Sequence, residues 1–137
     1  MKFKSLAIFL SVGVVFLVLM NPATAKTPQG PCTGLRDTPR ALIRCAFRTV
    51  GIPGEIPTAL YVAERESGFN ERAFNGICAG LFQMHLAYWQ GRVNQYLYRS
   101  QFPNAWPQVS AFNGRANALV AAKMVRQSGW SPWSTAP

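Results

Sequence analysis

Two short stretches carry side chains able to move a proton and hold a polar ligand. The first is Ala63-Glu64-Arg65-Glu66-Ser67-Gly68-Phe69-Asn70, and the second is Ala79-Gly80-Leu81-Phe82-Gln83. The chain has five acids, Asp37, Glu55, Glu64, Glu66 and Glu71. Glu66 has the surroundings to make it special. Val62 and Ala63 precede it by four and three residues, so on a helix it joins an apolar stripe. A partly desolvated carboxyl of that kind can act as a general acid on a leaving oxygen. Glu64, two residues away, points to nearly the opposite side of the same helix. Taken alone, either glutamate reads first as a solvated helix charge.

Stepping outward, the elements that must hold these residues are helical. Thr38-Pro39 has the form of a helix start, with Thr38 as cap and Pro39 in the first position. Leu42, Ile43, Ala46, Phe47 and Val50 then recur at helical spacing. Arg40, Arg44 and Arg48 form a row on another face, and Gly51 stops the helix. A second helix opens at Pro57 or Thr58, runs to about Ser67 and ends at Gly68. Leu81, Phe82, Met84, Leu86 and Trp89 predict a third, broken near Gln90-Gly91, with a further short helix over Val93–Tyr98. Residues 100–114 read as loop. Arg115–Gln127 return to helical spacing, and Ser128-Gly129 end that run. No β-alternation or internal repeat is evident. The fold class is therefore mainly α: a single domain of four to five helices with long ordered loops.

The N-terminus reads as a targeting segment. Lys2-Phe3-Lys4 is a basic start, Leu6–Met20 is almost wholly apolar, and Ala23-Thr24-Ala25 offers small residues for cleavage. We assign residues 1–25 to a signal peptide, 26–37 to a Pro/Gly-rich arm and 38–137 to the folded domain. The expected location is secreted or within the cell envelope, without stable membrane insertion after cleavage. Without Lys2 and Lys4, 12 basic residues face 5 acidic ones, a net charge of +7. Such a charge suits polyanions, but no Lys/Arg run favours nucleic acid. Export permits disulfides. Cys32, Cys45 and Cys78 allow one pair and one leftover thiol, in three arrangements that the sequence does not separate. One histidine and no ligand spacing point to no metal and no cofactor.

The paired stretches, Glu66-Ser67-Gly68-Phe69-Asn70 with Ala73, then Ala79-Gly80-Leu81-Phe82-Gln83, resemble the motifs of the lytic transglycosylase and goose-type lysozyme superfamily. That family carries a Glu-Ser pair at a helix end, followed by Gly-Leu-Met-Gln or a near variant. His85, Tyr88-Trp89, Asn113-Gly114-Arg115-Ala116-Asn117 and Gly129–Ser134 look like its small secreted members. The likeness spans roughly residues 40–134. It implies a lysozyme-like fold and cleavage of the β-1,4 bond between N-acetylmuramic acid and N-acetylglucosamine, with peptidoglycan glycan strands as the partner and a monomeric enzyme.

By the same likeness Glu66 matches the catalytic acid, Ser67 the residue that orients it, and Gln83 the amide beside the sugar N-acetyl group. Tyr88, Trp130 and Trp133 are candidate sugar-stacking rings. In transglycosylases the same glutamate gives and then takes a proton while the muramoyl 6-hydroxyl attacks internally. Most hydrolases need a second carboxylate, which no motif marks here. The internal route, leaving a 1,6-anhydro end, is therefore preferred over hydrolysis, with a non-catalytic wall-binding module as the further alternative. The family's later Ala-Tyr-Asn motif is missing, or replaced by the tail around Trp130 and Trp133.

Overall fold

A computed structural model describes residues 32–33 and 38–137. The expected signal peptide lies outside the described residues, as does the arm apart from Cys32 and Thr33. Among the described residues the protein is mainly helical, with four α-helices and one very small sheet. None of these helices is long and apolar enough to cross a membrane.

Helix α1 covers Pro39–Thr49. Thr38 caps it, its Oγ1 accepting from the Ala41 N–H at 3.3 Å, and Pro39 needs no partner for its missing N–H. Leu42, Ile43, Ala46 and Phe47 are buried on one face, while Arg40, Arg44 and Arg48 stay exposed. Helix α2 covers Ile56–Ser67 and buries Ile56, Ala59, Val62 and Ala63. Gly68 ends it in the left-handed region (φ 60°), its N–H reaching the Glu64 carbonyl at 2.8 Å.

The third helix departs from expectation. Leu81–His85 are not its first turns. They belong to a tight hairpin whose strands, β1 (Cys78–Ala79) and β2 (Met84–His85), pair antiparallel with Cys78 opposite His85. Strands of two residues are too short to show a period of two, so sequence periodicity has nothing to register. Helix α3 instead covers Leu86–Tyr96 and runs unbroken through Gln90-Gly91. It also absorbs most of the separate short helix expected over Val93–Tyr98. Gly91 is exposed, and within a helix it costs only about 1 kcal/mol relative to alanine. The His85 side chain supplies the start, Nδ1 accepting from the Ala87 N–H.

Helix α4 covers Gly114–Ser128 and is buried on nearly all sides through Ala116–Ala122, as a central helix must be. It packs chiefly against α1, with α3 on another side. Asn113 caps it through a 3.0 Å bond from the Ala116 N–H. At Gly114, its first position, a Cβ would lie 2.5 Å from the Glu71 carboxyl carbon, so a larger residue there would displace the end of that side chain. A carboxylate at that place also suits the positive end of the helix dipole.

Of the three possible cysteine pairings the structure has Cys32–Cys45, which ties the arm to α1. Cys78 is free and half-buried. An aromatic column fills the core beside the hairpin. Phe82 lies 6.2 Å from Phe47 and 5.9 Å from Trp133, ring centre to ring centre, and Trp130 stacks on Phe47 at 5.9 Å.

Candidate active site

The two chemistry-bearing stretches meet. The end of α2 is fastened to the hairpin by Ser67, whose Oγ makes a three-centre bond to the carbonyls of Ala63 (3.0 Å) and Leu81 (2.9 Å). Ser67 thus sets the spacing between Glu66 and the Gly80–Gln83 turn.

That turn is fixed on every side. Gly80 has φ 80°, and a Cβ there would fall 2.3 Å from Asn117 Nδ2 and 2.4 Å from the Ala111 carbonyl oxygen, so only glycine fits. Its N–H donates to Ala73 O at 2.9 Å. Asn117, fully buried on α4, accepts from the Phe82 N–H (2.9 Å) and donates to the carbonyls of Ala79 (3.1 Å) and Ala111 (2.8 Å). Trp133 Nε1 donates to the Phe82 carbonyl at 2.8 Å. The polar groups of this inward-folded turn therefore find partners from three separate elements, as buried main chain requires.

Gln83 stands at the turn's exit with φ 45°, a conformation that costs a non-glycine residue on the order of 1–3 kcal/mol. Its Nε2 donates to the carbonyls of Ala73 (3.2 Å) and Gly80 (3.1 Å). With the amide nitrogen engaged, what Gln83 offers a ligand is its carbonyl oxygen, an acceptor for an N–H or hydroxyl.

Glu66 and Gln83 line one cavity of about 280 Å³, with Cys78, His85, Arg92 and Trp133 among its other walls. Glu66 is half-buried, whereas Glu64 is exposed. Its Oε1 accepts from the Thr135 hydroxyl, so Oε2 is the oxygen left for proton exchange. No other acid belongs to the described lining. Glu55 Oε2 accepts from Trp130 Nε1 at 2.8 Å, Glu71 sits against Gly114, and Asp37 is outside the described residues.

The other expected site residues divide. Ser67 positions the site without lining the cavity. Trp133 lines it but is 7% exposed with its N–H engaged, so it is a wall and not an open stacking face. Trp130 is not at the cavity at all: stacking on Phe47 and bonding to Glu55 satisfy both its ring and its N–H. Tyr88 is 63% exposed and stands outside the lining, its ring 4.8 Å from His85. His85 does line the cavity. Because Nδ1 accepts from Ala87, Nε2 carries the proton in the neutral ring. The tail supplies the hydroxyl beside Glu66 through Thr135.

Three contributors escape the sequence. Thr135 gives no signal, being one of several hydroxyl residues near the end. Arg92 is legible only as a residue seven after His85, on the same helical face. Asn117 leaves a trace, a lone amide inside the apolar run Ala116–Ala122. Comparison of this chain with protein-family models, with curated proteins and with solved structures finds no match.

Proposed function

We propose that this protein is an exported, lysozyme-like peptidoglycan-cleaving enzyme that acts as a lytic transglycosylase, with Glu66 as its single acid and base. The observation that carries the reading is that Glu66 is the one carboxylate of the described cavity lining, facing the same space as the fixed amide of Gln83. Hydrolysis of a glycosidic bond usually draws on two carboxylates, one on each side of the sugar. Internal attack needs one.

In this mechanism Glu66 Oε2 protonates the glycosidic oxygen as the bond from the muramoyl C1 breaks. The muramoyl 6-hydroxyl then attacks C1 and returns its proton to Glu66, closing a 1,6-anhydro ring and restoring the acid. The Thr135 hydroxyl holds Oε1 throughout. The Gln83 carbonyl oxygen accepts from the N-acetyl N–H and fixes the sugar. Proton transfer of this kind contributes about 10²–10⁴-fold in rate.

Residues 26–137 incubated with peptidoglycan should release muropeptides with anhydro ends, read by mass spectrometry. Glu66→Gln should lower that release by at least about a hundredfold while far-UV circular dichroism stays unchanged. Reducing ends in place of anhydro ends would make the enzyme a hydrolase. Undiminished release by Glu66→Gln would remove Glu66 from the chemistry. Binding without any release would make the domain a wall-binding module.

A further inference from the structure

The Glu66 cavity also holds a cation, Arg92, which makes no ion pair with a carboxylate among the described residues. Arg92 is half-buried on α3 and lines the same 280 Å³ space as Glu66 and Gln83. Its Nη1 donates to Met84 Sδ at 3.3 Å, a weak acceptor for one of the five N–H groups a guanidinium carries. The groups that act on its charge are the phenols of Tyr96 and Tyr88 and the Cys78 thiol, with no carboxylate among them. Burial lowers the Arg92 guanidinium below its ordinary value, yet arginine stays charged in proteins.

The protein bears part of the cost of desolvating a charge and sets it beside a thioether and the Tyr88 ring. Burial of a charge is ordinarily offset by a partner, as the fully buried Asn117 amide is offset by three main-chain bonds. The planar fork of arginine matches a carboxylate through two parallel hydrogen bonds. Arg92 and Glu66 line the same cavity, which is at the small end of ligand pockets. His85 and Tyr88 continue the row along α3: the Tyr88 ring is 4.8 Å from His85, and the Arg92 guanidinium is 6.0 Å from it. They form a polar rim that leads from solvent to Arg92.

We propose that Arg92 is a carboxylate-binding subsite, which receives an acidic substituent of the muramoyl unit held at Glu66. The cleft then distinguishes strands by the charge they carry and not only by the sugar. This rests on the peptidoglycan reading above. Two sources share the chemistry: the free lactyl carboxylate of a strand stripped of its peptides, and a carboxylate of an attached stem peptide. If the first is the ligand, an amide-hydrolysing reaction that removes the peptides must precede this enzyme on the strand.

The test uses the Glu66→Gln protein, which retains the site without turnover, and calorimetric binding of three glycan oligomers. One carries free lactyl carboxylates, one carries stem peptides, and one has every carboxylate converted to a neutral carboxamide. The neutral oligomer should bind about ten- to a hundredfold more weakly than the better of the other two, the range for a lost charged hydrogen bond. Adding Arg92→Gln should erase that ratio, and Arg92→Lys, which keeps charge but not the fork, should retain part of it. Preference for the free lactyl strand or for the peptide-bearing strand names the source. Equal binding of charged and neutral oligomers overturns the subsite, as does a ratio that survives Arg92→Gln. Either result, obtained while Glu66-dependent cleavage of native peptidoglycan persists, leaves the catalytic reading standing. Absence of both binding and cleavage overturns the two together.

Discussion

Replacing Asn117 with alanine should be among the most damaging single changes in this domain, although Asn117 touches no part of the cavity. The side chain is fully buried and serves three main-chain groups: the Phe82 N–H and the carbonyls of Ala79 and Ala111. Alanine strands the Phe82 N–H and the Ala111 carbonyl away from water, while the Ala79 carbonyl keeps its place in the ladder opposite Met84. Each buried group left unpaired costs about 1–3 kcal/mol, so the loss is at least about 2 kcal/mol before any void is counted. Domains of this size have only about 5–15 kcal/mol in total. At about 4–8 °C per kcal/mol, the midpoint of thermal unfolding should fall by about 8 °C or more. Scanning calorimetry on the two proteins, with urea titration for the free energy, measures this directly. Asn117→Asp should fare no better, because a carboxylate cannot donate to the Ala79 and Ala111 carbonyls. A loss under about 1 kcal/mol for Asn117→Ala would mean that water or a shifted backbone satisfies the turn, and would refute the account of how the turn is held.

Gly114→Ala should destabilise by only about 1 kcal/mol, since the Glu71 carboxylate at the Cβ position is the end of a flexible side chain that can swing aside; adding Glu71→Ala should recover much of that in calorimetry, a coupling that additive effects would contradict. Ser67→Ala should cost about 1 kcal/mol in urea titration and slow cleavage more than that loss of stability explains, because the bond to Leu81 sets the distance from Glu66 to Gln83. Reduction of Cys32–Cys45, separated by 13 residues, should lower stability by roughly 3 kcal/mol on the loop-entropy estimate, seen as a lower unfolding midpoint in reductant. Thr135→Val should leave the unfolding midpoint within a few degrees and cut cleavage at least tenfold, read from muropeptide release; a stability loss with unchanged cleavage would make Thr135 a tail fastener only.

How far the sequence could be read depended on how local each cause was. Thr38-Pro39 and Gly68 mark helix ends through chemistry confined to a few residues, and both ends fall within a residue of expectation. Leu81–His85 misled because Leu81, Phe82 and Met84 are all fully buried, which imitates a helical stripe, while the constraint that makes a hairpin comes from Asn117 and Ala111, some thirty residues on. Gly91 misled in the other direction: glycine in mid-helix weakens a helix but does not oblige it to stop. In the site, Glu66 and Gln83 were legible as a pair. Trp130 was not, since an aromatic ring near a proline looks the same whether it faces a sugar or, as here, stacks on Phe47.

The cavity joins one strained element to one that is hardly constrained. Gln83 is held in a left-handed conformation, with its amide nitrogen turned back to the carbonyls of Ala73 and Gly80. Such a side chain presents one acceptor in one place, which suits recognition of a donor on a rigid sugar. Glu66 is different. It rests on the last turn of a helix and takes one bond from Thr135, two residues beyond the Trp133 that anchors the tail together with Trp130. In the proposed mechanism the same carboxyl loses a proton to one oxygen and receives one from another, which that freedom would serve. A second fixed carboxylate nearby would oppose ionisation of the first. The division between a fixed acceptor and a lightly held acid is thus what the one-glutamate route needs, and it makes the Thr135 bond the contact whose loss should change rate before it changes fold.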